Sequence, residues 1–128
     1  LEEHKRKKKE IYRQYKEAFA DIPALAMNPM NPDGDANNWL SCMTIEPESG
    51  VTPDMVMDAL EAENIESRPI WKPMHLQPFY ENCDFIAMEE NGSVGERIFK
   101  KGFCLPSDIK NTPADMELII GIIRSFFV

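Results

Sequence analysis

Apolar residues recur at helical spacing near the start of the chain. Ile11, Tyr15, Ala18 and Ile22 fall on one stripe, which Tyr12 and Phe19 widen. That period predicts a helix over about residues 4–19, with the Lys5–Lys9 run on its solvated face. Asp21 to Asn38 contains Pro23, Pro29, Pro32 and Gly34 and reads as an extended connection. Trp39 to Ile45 alternates as a strand does, with Trp39, Met43 and Ile45 on one side. Thr52-Pro53-Asp54 starts a helix: a hydroxyl to cap free amides, a proline suited to the first turn, an acid at the positive dipole end. Met55, Val56, Ala59 and Leu60 form its apolar face, and Asn64 terminates it. Ile65 to Pro69 is short and extended, and Pro69, lacking an N–H, assigns it to a sheet edge.

The stretch Trp71–Tyr80 has neither period, yet Pro73 and Pro78 stiffen it and Trp71, His75, Phe79 and Tyr80 load it with large side chains. Ser93-Val-Gly-Glu96 has capping-box spacing ahead of Val94, Ile98 and Phe99, and Gly102 offers a left-handed stop. Phe103–Pro106 is a brief strand. Thr112-Pro113 repeats the cap-and-proline start, and Met116, Ile119, Ile120, Ile123 and Phe127 make the clearest amphipathic stripe in the chain. This order predicts one α+β domain over residues 1–128: a small, mainly antiparallel sheet of about three strands, covered mainly on one face by helices. The first helix, residues 1–20, is where the chain would arrive from another domain, leaving 21–128 as the body. Leu1 stands where a whole protein would carry Met, which fits a piece of a longer chain.

Composition narrows the function. The 128 residues are 43% hydrophobic and 28% charged, an ordinary globular mix. No apolar run approaches the roughly 20 residues that cross a bilayer, and the charged opening Leu1–Lys7 is not a secretory pattern. The net charge of −8 is uneven: residues 1–19 hold seven Lys/Arg against four Asp/Glu, or +3, which leaves −11 for the rest. Only the first helix could replace counterions along a phosphate backbone, and its own acids dilute it, so nucleic acid is disfavoured as a partner. Cys42, Cys83 and Cys104 are odd in number and far apart in sequence. With His4 and His75 as the only histidines, neither a zinc site nor a disulfide framework is indicated, and reduced thiols in the cytoplasm are expected.

No glycine-rich phosphate cradle or nucleophile elbow is present. Glu61 with Glu63, and Glu89 with Glu90, point apart on a helix and read as solvated surface. Arg68 to His75 is different. Arg68 offers a fork suited to phosphate or carboxylate, Lys72 a second cation, His75 a proton-exchanging or donating imidazole, and Trp71 a stacking face. The plainer alternative is that Arg68 pairs with a surface acid and Trp71 plugs the edge of the core.

The segment Ser67-Arg-Pro-Ile-Trp-Lys-Pro-Met-His-Leu-Gln-Pro-Phe79 resembles a signature near the end of the DegT-type nucleotide-sugar aminotransferases. It is most similar to the branch that aminates UDP-linked amino sugars for bacillosamine or exopolysaccharide synthesis. Ser93–Ser107, with its Gly-Phe-Cys-Leu-Pro-Ser ending, and Thr112–Met116 resemble two later pieces in the same order, and Leu1–Tyr15 is similar to the helix that leaves the family's large domain. Asp108–Asn111 departs from the small polar residues of relatives, and acidic residues 81–92 have no close counterpart.

The resemblance implies the C-terminal small domain of a homodimeric, pyridoxal phosphate-dependent enzyme, whose cofactor lysine and pyridine-gripping aspartate lie upstream of Leu1. It implies no catalytic residue and no bound cofactor in this chain. Lys72 and His75 would approach the sugar or diphosphate, Arg68 would anchor an anion or the large domain, and Trp71 would pack at the pocket rim. The implied reaction of the parent enzyme is ping-pong amination of a keto nucleotide sugar with glutamate as donor. A nucleotide-sugar-binding module without catalysis, and a protein-interaction or dimerisation module built on the Trp71–Tyr80 loop, are the competing expectations.

Overall fold

The computed structural model describes residues 1–88 and 92–128, so the expectation for Glu89 and Glu90 lies outside the described residues. Helix α1 runs Glu2–Ala18, with Glu2 and Glu3 in its first turn and Lys16 in its last, as the helix dipole favours. Ile11, Tyr12 and Tyr15, and then Phe19 and Ile22 just beyond the helix, are buried. The next three elements are strand β1 (Leu25–Met27), strand β2 (Ser41–Ile45) and helix α2 (Pro53–Ala62). They are followed by strand β3 (Arg68–Pro69), helix α3 (Val94–Lys101), strand β4 (Gly102–Leu105) and helix α4 (Pro113–Arg124).

The sheet is antiparallel throughout and has four strands in the order β1-β2-β4-β3. The strand beyond the expected three is β1, which lies inside the supposed connection. Pro23 and Pro29 flank it, but Leu25, Ala26 and Met27 keep their amides and pair with Ile45, Thr44 and Met43. As Pro69 requires, β3 is an edge strand.

One sheet face carries the core. Met43, Ile45, Phe103 and Leu105 pack against Ile11 and Tyr15 of α1, Val56 and Leu60 of α2, and Met116, Ile119 and Ile123 of α4. Burying side chains of this size stabilises by about 1.5–3 kcal/mol each. Tyr15 is fully buried, and its hydroxyl donates to the Pro106 carbonyl at 2.6 Å. Both Thr-Pro helix starts form. The Met55 N–H donates to Thr52 Oγ1 at 3.3 Å, and Thr112 and Asp115 make a reciprocal capping box. Asn64 adopts the left-handed conformation that ends α2 (φ 59°). The turn before α4, where the family resemblance is weakest, is closed by Asp108, whose carboxylate accepts from the Lys110 N–H at 2.9 Å.

Four local expectations are corrected. Trp39 is 63% exposed rather than on the core side, because the strand begins only at Ser41 and Asn38 takes a positive φ of 51° just before it. Met55 is exposed, and Met57 packs partly against the core in its place. Val94 and Ile98 are exposed and no residue of α3 is buried, so that stripe is not an inner face. Gly102 is extended (φ −121°), not left-handed. Its need for glycine is steric: an added Cβ would stand 2.4 Å from Ile70 Cδ1 and 2.8 Å from the Ile98 carbonyl oxygen.

Candidate functional site

β4 sets the position of the candidate segment. Arg68 and Pro69 pair with Cys104 and Phe103, and the Ile70 N–H donates to the Gly102 carbonyl at 3.4 Å. Past this edge the chain leaves the sheet, and its prolines and two short 3-10 turns, Met74–Leu76 and Pro78–Tyr80, carry it onward. The segment is therefore neither strand nor α-helix, as its lack of either period predicts.

Arg68 reaches outward. Its guanidinium forks onto the Glu66 carboxylate, with Nε at 2.8 Å, and the pair is well exposed. Such a pair contributes little to stability, so the fork can exchange Glu66 for another anion at low cost. Trp71 is 59% exposed and its ring lies 6.1 Å from that of Trp39, tilted by 42°. These residues open onto a groove of about 880 Å³, walled also by His4 and Lys8 of α1 and Asp115 at the start of α4. The Lys8 ammonium donates to the Ser107 carbonyl.

His75 sits apart from that groove. Its ring stacks on Phe85 (centroids 3.7 Å, interplanar 14°), and its Nε2 is 3.9 Å from a Glu96 carboxylate oxygen, too far for a hydrogen bond. That nitrogen is buried without a hydrogen-bond partner among the described residues. Lys100, 2.7 Å from Glu96, holds the Glu96 carboxyl below the usual range, and His75 adds to the effect. Lys72 is exposed, and its ammonium has no polar partner among the described residues.

The four expected residues thus divide. Arg68 and Trp71 share a groove, Lys72 projects from the turn between them and His75, and His75 belongs to a second cluster with Phe85 and Glu96. Sequence reasoning missed Trp39, His4 and Lys8 as groove residues. The signal available for Trp39 was the positive-φ-tolerant Asn37-Asn38 before it. His4 and Lys8, the groove residues from α1, carried none, since they are distant in sequence. Among the described residues no group of three His, Cys, Asp or Glu side chains could hold a metal ion.

An α+β domain with an aromatic groove of mixed charge at its sheet edge, where Arg68 and Lys8 stand among Glu63, Glu66, Asp108 and Asp115, is the class that the geometry defines. Residues 1–124 match the model of the DegT/DnrJ/EryC1/StrS aminotransferase family, and the chain belongs to that family. It is 35% identical over 127 residues to EpsN of Bacillus subtilis (strain 168), which carries the name of a pyridoxal phosphate-dependent aminotransferase; the match spans 99% of this chain and 32% of that protein. It is 28% identical over 90 residues to the GDP-perosamine synthase of Caulobacter vibrioides, covering 70% of this chain and 23% of the relative. A family aminotransferase of known structure from Brucella abortus superposes with a TM-score of 0.79 at 26% identity, over 99% of this chain and 32% of its own. The chain thus spans about a third of the length of EpsN and of that solved structure.

Pyridoxal phosphate makes its own demands on a site. A cofactor site needs a lysine free to bond the aldehyde and an acid facing the pyridine nitrogen. The groove's lysine, Lys8, is engaged by a main-chain carbonyl. These residues do not fit the cofactor. Among them Arg68 carries a guanidinium suited to an anionic group, and Trp39 and Trp71 present ring faces. No helix among the described residues is long and apolar enough to cross a membrane.

Proposed function

We propose that residues 1–128 are the substrate-side small domain of a pyridoxal phosphate-dependent aminotransferase that aminates a keto nucleotide sugar. In this reading α1 is the helix arriving from a large domain that holds the cofactor, and 21–128 form the body. The single observation that carries it is the family match over residues 1–124 in a chain that covers only a third of EpsN. The groove supports it chemically. Arg68 is a surface guanidinium whose present partner is replaceable, suited to a diphosphate, and the Trp39 and Trp71 rings offer faces to a base or sugar. The exposed ammonium of Lys72 remains for hydroxyl or phosphate oxygens once the whole enzyme closes over it, whereas the buried Nε2 of His75 would reach a ligand only if Phe85 moved off its ring.

The cofactor, when bound elsewhere in the enzyme, supplies the amino-group transfer, and this domain supplies orientation and charge. The finer reading has glutamate as donor, a UDP-linked substrate, a polysaccharide or glycan pathway, a homodimer and a cytoplasmic home. It goes beyond the relatives, one of which is a GDP-perosamine synthase.

The test is kinetic and uses the whole enzyme. Arg68→Ala should raise KM for the nucleotide sugar by about 10- to 100-fold, the equivalent of one charge-assisted contact, while the half-reaction with the amino donor keeps its rate. Arg68→Lys should recover only part of the loss, because it lacks the fork. Unchanged sugar kinetics in both Arg68→Ala and Trp71→Ala would remove the groove from the substrate site.

A further inference from the structure

Cys42 and Cys104, 62 residues apart in sequence, face each other across the middle of the sheet. The backbone of Cys42 is turned toward the β1 side: its N–H donates to Asn28 Oδ1 and its carbonyl accepts from the Asn28 N–H, both at 2.9 Å. Gly102, two residues before Cys104, presents its carbonyl to Ile70 on the β3 side. Cys42 and Cys104 are therefore a non-hydrogen-bonded antiparallel pair, the kind whose Cα atoms approach to about 4.5 Å and whose side chains lie closest. That separation falls inside the window for a disulfide, about 4.4–6.8 Å. The sulfurs are already 3.7 Å apart, on the face opposite Met43, Phe103 and Leu105.

We propose that Cys42 and Cys104 form a dithiol modification site at which a hydroperoxide closes a cross-strand disulfide. Access suits a small oxidant. Cys42 is half-buried, and Cys104, only 6% exposed, borders the groove. The two sulfurs share a contact in which either can be the donor, so a thiolate on Cys104, the sulfur that borders the groove, is held by the Cys42 thiol.

That thiolate attacks one peroxide oxygen. An S–O bond forms, the O–O bond breaks, and the departing oxygen takes a proton from water to leave as water or an alcohol. The Cys42 thiol then attacks the Cys104 sulfur, the S–O bond breaks, and the hydroxide leaves as water with the Cys42 proton. Two thiols are oxidised by two electrons and one hydroperoxide is reduced. The bond would tie β2 to β4 beside the strand that carries Arg68. This assignment stands on the thiol geometry and is independent of the substrate proposed above.

The experiment is peptide mapping of the native full-length protein after treatment with hydrogen peroxide, with remaining thiols alkylated under denaturing conditions. Exposed Cys83 is the internal control. The expected result is a Cys42–Cys104 cross-linked peptide, two hydrogens lighter than its parts. It should far exceed any link to Cys83, revert with a dithiol reductant, and lose its preference when the protein is first unfolded in urea. In Cys42→Ser, Cys104 should instead accumulate as a sulfenic acid captured by dimedone. Oxidation of Cys83 while Cys42 and Cys104 both remain alkylatable would overturn the assignment, as would a cross-link no more abundant in native than in unfolded protein. Should Cys42→Ser fail to fold, the comparison of native with unfolded wild type decides alone.

Discussion

Replacing Gly102 with alanine tests whether the candidate segment is held by steric contact with the start of β4. The backbone itself accepts alanine, since φ is −121°. The obstacle is space: the new Cβ would stand 2.4 Å from Ile70 Cδ1, 3.3 Å from Ile70 Cγ1 and 2.8 Å from the Ile98 carbonyl oxygen. Ordinary carbon contacts lie near 3.5–4.0 Å. The tip of Ile70 can swing away, but the carbonyl moves only if the last turn of α3 moves with it. Overpacking of this kind costs about 1–3 kcal/mol.

Ile70→Val removes the Cδ1 that collides and should by itself cost about 0.5–1 kcal/mol, the lower part of the range for this change because Ile70 is only half-buried. Combined, the two changes should be less damaging than their sum by about 1 kcal/mol, while the carbonyl clash keeps the double variant below Ile70→Val. Urea unfolding of the four proteins, followed by tryptophan fluorescence and far-ultraviolet circular dichroism with the slopes compared, reads these energies. A Gly102→Ala protein within about 0.3 kcal/mol of the parent, or energies additive within that margin, would refute the reasoning.

Thr112→Ala removes the hydroxyl that caps α4 and half of a reciprocal box, and should cost about 1 kcal/mol in the same urea assay. Tyr15→Phe deprives the Pro106 carbonyl of a 2.6 Å bond and leaves only a 3.5 Å contact from Asn111, for a loss of about 1 kcal/mol. The Asp21 carboxyl stands at about 2 against its ordinary 3.8, chiefly because the Arg124 fork binds its charged form at 2.7 and 2.8 Å. What it contributes to stability is therefore present above pH 3.8 and lost as pH falls through about 2. In Arg124→Met, carboxyl NMR should find Asp21 back near 3.8, and an unmoved titration would contradict the pairing.

The elements governed by local chemistry were legible in the sequence. Thr52-Pro53 and Thr112-Pro113 state where helices begin, because capping involves atoms within three residues. The stripe of Met116, Ile119 and Ile123 states which face of α4 is buried. What was hidden depends on partners far along the chain. Nothing in Leu25–Met27 says that it is a strand until Met43–Ile45 lies beside it, and Gly102 is misread because its constraint comes from Ile70. The candidate site divides the same way. Its residue types stand together from Arg68 to His75, but the turn that sends Trp71 toward Trp39 and His75 toward Phe85 is a product of tertiary packing. The cysteine pair was invisible for the same reason, and sequence distance argued against it.

The strand order β1-β2-β4-β3 also bears on how the domain is assembled. No two paired strands are joined by a tight turn: residues 28–40 separate β1 from β2, residues 70–101 separate β3 from β4, and the central pair is the most remote. Each pairing must repay a long loop closure before it stabilises anything. A nascent chain halted before Gly102 would hold α1, α2, α3 and one outer ribbon but neither α4 nor the sheet centre, leaving Met43 and Ile45 without the β4 strand at their side. Collapse of α1, α2 and α4 into a loose cluster should therefore precede the sheet, with the arrival of β4 as the slow event that makes the structure cooperative.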